Sequence, residues 1–97
     1  METIHITDKN ADMISYNFFH RSLGGGNSHS INKMKKILRQ AIQNELTDKQ
    51  KKCLTLYYYN QMKMKDIAKE LGLNISTVSR HISTATKKLK RIAQYYI

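Results

Sequence analysis

"MKDIAKELGLNISTVSRHIS" (residues 64–83) decides how this chain folds. Ile67, Ala68 and Leu71 make one buried edge of a short helix. Gly72 then supplies a residue that tolerates left-handed backbone, which stops that helix. Leu73 plugs the turn, and the Asn74 side-chain oxygen is placed to cap a second helix. Val78, Ile82, Ala85, Leu89, Ile92 and Tyr96 follow at alternating spacings of four and three, so the second helix turns a single apolar stripe inward. Two helices joined by a short turn containing glycine describe a helix-turn-helix, a unit whose second helix enters the DNA major groove. Small Ala68 suits the crossing of the two helices, and branched Val78 suits the point where the second meets the first.

Upstream, Thr47 and Gln50 form a capping box, with Asp48 at the positive end of the helix they start. That helix runs to about Asn60 and is expected to bury Cys53, Leu54, Tyr57 and Tyr58. Before it, Ser30 can cap a helix over residues 31–44, in which Ile31, Met34, Ile37, Leu38, Ala41 and Ile42 mark one apolar stripe. The fold class is therefore all-α: a small four-helix domain containing a helix-turn-helix. With no proline in the chain, nothing interrupts these helices.

"RSLGGGNSHS" (residues 21–30) is the clear punctuation, because consecutive glycines carry too much backbone entropy for a helix interior. It divides an N-terminal segment (1–23) from a Gly-rich linker (24–30) and the main domain (31–97). Met13, Ile14, Tyr16, Phe18 and Phe19 suffice for a short extra helix that docks on something. Residues 1–9 read as a short strand, "TIHIT", or as a frayed arm.

The net charge of +10 favours a polyanionic partner, and it is unevenly placed. Residues 1–45 hold six basic and four acidic side chains, whereas residues 46–97 hold eleven and three. The polyanion contact is therefore sought in the second half. No apolar run reaches the roughly 18–20 residues that span a bilayer, and no basic-then-apolar leader opens the chain, so an intracellular, cytoplasmic protein without a membrane partner is expected. Cys53 reads as a small core residue, and the four histidines are too scattered for a metal site. No cofactor and no metal are expected. The triple tyrosine 57–59 invites nucleobase stacking, but three adjacent helical residues fan across roughly 200°. Core packing is the better reading of Tyr57 and Tyr58.

"LTDKQKKCLTLYYYNQMKMKDIAKELGLNISTVSRHISTATKKLKR" (residues 46–91) resembles region four of bacterial RNA polymerase sigma factors, especially the short sigma-like proteins of mobile elements. The leucine opening, Tyr58, "DIA", "LG" and "TVSRH" occur in register, and the likeness extends to the helix at 31–44. The sequence is also similar to the DNA-binding output domains of response regulators, which share His81. The resemblance implies a transcription regulator that recognises promoter-like DNA and meets RNA polymerase. Nothing in the first 45 residues resembles the sigma region that melts the other promoter element, so a stand-alone regulator or half of a split sigma is expected.

With Val78, Ile82 and Ala85 inward, Ser76, Thr77, Ser79, Arg80, Ser83 and Thr84 are left to face base edges. Arg80 is suited to a bidentate contact with guanine. Lys87, Lys88, Lys90 and Arg91 at the far end, Lys63 and Lys65 at the preceding helix, and Asn74 at the helix start are assigned to phosphates. The helix from Asn74 onward carries no acidic residue. The C-terminal stretch either closes the domain's own core or forms a homodimer contact. The competing reading is a mobile-element interaction protein whose segment Met13–Phe19 binds a host or partner protein, DNA being secondary. Catalysis is not expected, since the basic helix offers neither acid nor cysteine.

Overall fold

The structure is a computed structural model that describes residues 8–22 and 28–95. Among the described residues five helices follow one another: α1 (Asp8–Ser22), α2 (Ser28–Glu45), α3 (Asp48–Leu54), continued by a π-helical turn (Thr55–Tyr59), α4 (Met64–Leu71) and α5 (Ile75–Tyr95). The described residues contain no strand. "TIHIT", the glycine run and Tyr96 lie outside the described residues.

The start of α2 differs from expectation. Ser28 to Ser30 are already helical, so Ser30 is an interior residue and not the cap, and residues 28–30 belong to the helix rather than to a linker. Of its expected stripe, Met34, Leu38, Ala41 and Ile42 are buried and Ile37 is only half-buried, while the Ile31 side chain lies outside what the structure describes. α3 begins with both halves of its capping box in place. The Gln50 amide donates to Thr47 Oγ1 at 3.2 Å and the Thr47 amide to Gln50 Oε1 at 3.1 Å, which satisfies two otherwise orphaned donors.

The end of this helix widens. The Asn60 amide bonds back to the Thr55 carbonyl at 3.1 Å, a five-residue step, and Cys53, Leu54, Thr55 and Leu56 are buried in succession. Tyr58 is buried with them. Tyr57 packs against the core and on the Tyr58 ring but is only half-buried, so it enters less deeply than expected, with Arg21 over its ring.

Tertiary packing places α1 inside the same core. Ile14, Phe18 and Phe19 pack in one cluster with Leu38, Ile42, Leu54, Tyr58, Ile67, Val78 and Leu89. Phe18 meets Tyr58 edge to face with centroids 5.9 Å apart. Polar contacts set the angle of α1: Arg39 bonds Asp12 at 3.0 Å, and Asn17 Nδ2 donates to the Tyr58 carbonyl at 2.6 Å. The division drawn at the glycines is thus not a division of the core.

Candidate nucleic-acid interface

The turn between α4 and α5 is built by backbone chemistry. Gly72 sits at φ 66°, ψ 38° and lets the chain reverse out of α4. The Leu73 amide reaches the Ala68 carbonyl at 2.8 Å and the Gly72 amide reaches Lys69 at 3.4 Å, the paired bonds of a Schellman close. Leu73 packs half-buried against the core, as a residue in that place should. α5 restarts at Ile75, and the Val78 amide bonding to the Asn74 carbonyl at 3.1 Å is its first helical bond. The amides of Ile75, Ser76 and Thr77 therefore point out of the helix end, where its partial positive charge lies.

Val78, Ile82, Ala85, Leu89 and Ala93 are buried, which fixes the roll of α5. Opposite them Ser76, Arg80, Ser83, Lys87 and Arg91 recur at steps of four, three, four and four along one exposed line. Thr84 and Lys90 flank it, also exposed; Thr77 and Ser79 are half-buried at its margins. Hydroxyls and Arg80 occupy the first turns, and the cations follow. At 1.5 Å per residue, Lys87 lies roughly 10 Å and Arg91 roughly 16 Å beyond Arg80 along the axis.

Lys88 leaves this line. Its ammonium donates to the Glu45 carbonyl at 3.3 Å and to Gln50 Oε1 at 3.4 Å, on the side where α5 meets the ends of α2 and α3. Lys63 and Lys65 stand exposed at the start of α4, and Asn74 is exposed between the two helices.

One residue was not singled out by pattern reading. Ile75, the first residue of α5, is 53 % exposed beside Ser76, whereas Val78 is fully buried. A large apolar side chain outside the inward stripe, at the start of a helix otherwise rich in hydroxyls, was the signal available in the sequence. Among the described residues, no cluster of His, Cys, Asp or Glu could hold a metal ion, and no helix is long and apolar enough to cross a membrane.

The family described as "Sigma-70, region 4" matches residues 35–89, more than half of the chain, from within α2 to Leu89 of α5. α1 lies outside the match. Comparisons with curated proteins and with solved structures return no match.

Proposed function

The chain belongs to the sigma-70 region 4 family, a family of DNA-binding helix-turn-helix domains rather than of enzymes, and on that premise we propose that it is a sequence-specific regulator of transcription acting on double-stranded DNA together with RNA polymerase. The observation that carries the reading is the exposed line of α5. Small hydroxyl side chains and one arginine stand exposed over its first turns, with Lys87 and Arg91 further along the same line, an arrangement that supports contact with base edges near the helix start.

In this reading Arg80 makes the bidentate guanine contact, with Ser76, Thr77, Ser79, Ser83 and Thr84 around it. The exposed Ile75 packs on a thymine methyl group, the apolar feature that only the major groove presents. Lys87, Lys90 and Arg91 hold phosphates on one side, and Lys63, Lys65 and Asn74 hold them on the other. Lys88 contributes less, because its ammonium already has two acceptors. Leu89 and Ala93 are buried within the chain's own core, which supports binding as a monomer to a single site rather than through a C-terminal dimer.

Selection of bound sequences from a random duplex pool at near-physiological salt tests the proposal. A recovered motif with a guanine whose importance vanishes in Arg80→Ala is the expected result. Recovery of no motif would refute it.

A further inference from the structure

A cleft of about 350 Å³ opens between α1 and the turn that leads into α4, lined by Asn17, Arg21, Tyr57, Gln61, Met62 and Lys63. Two cations from distant parts of the chain line it. Neither Arg21 nor Lys63 is in an ion pair among the described residues, whose salt bridges both involve Asp12. Arg21 is nevertheless held in place. Its guanidinium carbon lies 4.7 Å from the Tyr57 centroid and 4.8 Å from that of Tyr58, in the corner of two rings set at 87° to each other. Attraction of the cation to the ring faces does not use up its five N–H donors, so some remain to meet an anion. Asn17, one turn earlier on α1, is fastened to the Tyr58 carbonyl, so the arginine's helix cannot drift from the turn. Gln61, exposed and also lining the cleft, holds φ 57°, a left-handed conformation uncommon for a residue with a side chain.

We propose that this cleft binds a phosphodiester of the DNA backbone, making α1 part of the duplex contact. The inference rests on the helix-turn-helix reading above, because it is that docking which lays the start of α4 along the backbone. Lys63, the residue immediately before α4, lines the same cleft as Arg21, so one phosphate seated there can meet both cations. A liquid water occupies about 30 Å³, so the cleft admits a phosphate oxygen cluster with several waters. A planar, pre-ordered guanidinium loses little freedom on binding and matches phosphate geometry. A duplex footprint longer than the matched region alone would make is the consequence.

The test uses the full chain and its selected duplex. Arg21→Gln is expected to weaken binding about tenfold and to reduce the slope of log affinity against log salt by about one, without changing the preferred sequence. Arg21→Lys, which keeps the charge, is expected to restore the slope. Replacing single phosphates by uncharged methylphosphonates should identify one position, outside the base-read motif, that weakens the native chain but not Arg21→Gln. An unchanged salt slope in Arg21→Gln, or the absence of such a position, overturns the inference. A fall in affinity matched by a fall in melting temperature with the slope intact also overturns it, since Arg21 would then only brace the two tyrosines. These results are independent of the Arg80→Ala experiment: a selected motif that survives with an indifferent Arg21 sinks the cleft alone.

Discussion

Single side chains divide between reading and holding. Arg80→Ala is expected to lose roughly 1–3 kcal/mol of discrimination at one base pair, measured by competition between duplexes that differ there. Lys87→Ala should instead weaken all duplexes alike and flatten the salt slope by about one, and Lys88→Ala should change the slope less than Lys87→Ala does. The exposure of Arg80 was legible because the buried stripe from Val78 to Leu89 dictates what faces the other way. The engagement of Lys88 was not, because its acceptors lie 43 and 38 residues earlier in the chain. Ile75→Ala should reduce the preference for thymine over uracil at one position of the site, since only thymine carries the methyl group. At Cys53, burial pushes the thiol pKa up, so the folded chain favours the protonated form. The stability this represents is fully present below the unfolded thiol's pKa and declines as pH rises above it. Thiol labelling at neutral pH should accordingly proceed only at the rate at which the core opens; rapid labelling of the native chain would contradict that.

Among the elements, the α4–α5 turn is the most locally determined. A Cβ added at Gly72 would meet nothing within 4 Å, so Gly72→Ala is disfavoured by its left-handed backbone alone. The expected loss is about 1–2 kcal/mol, read as a drop of roughly 4–8 °C in Tm per kcal/mol. Gly72→Asn should lose less, because asparagine tolerates that conformation better. A Tm unchanged in Gly72→Ala would mean the turn can close in another way. The capping box at Thr47 and this glycine were readable in the sequence because each acts within five residues of itself. The π-helical turn after Leu54 was not readable. It depends on what surrounds it: α5 on one side of α3, and α1 bonded to the Tyr58 carbonyl on the other.

For the whole molecule, α1 is the decisive addition to the matched family region. Phe18→Ala removes a fully buried side chain and should cost about 3–5 kcal/mol, enough to unfold a marginal domain, as chemical denaturation would show. Met13 and Tyr16 lie on the outer side of α1, 46 % and 45 % exposed, and their joint replacement by alanine should leave stability nearly unchanged. That double substitution, rather than removal of the N-terminal segment, is the clean test of a partner bound there, because deletion would also strip Ile14, Phe18 and Phe19 from the core. By itself the sequence determined the helices, the turn at Gly72 and the outward line of α5, because periodicity, capping and left-handed backbone act over one or two helical turns. Only the tertiary structure decided that α1 completes the core, that Lys88 turns toward α2 and α3, and that Arg21 and Lys63 line one cleft. Each of these joins residues distant in the chain, and such pairings are chosen by how the apolar faces of all five helices close over one another.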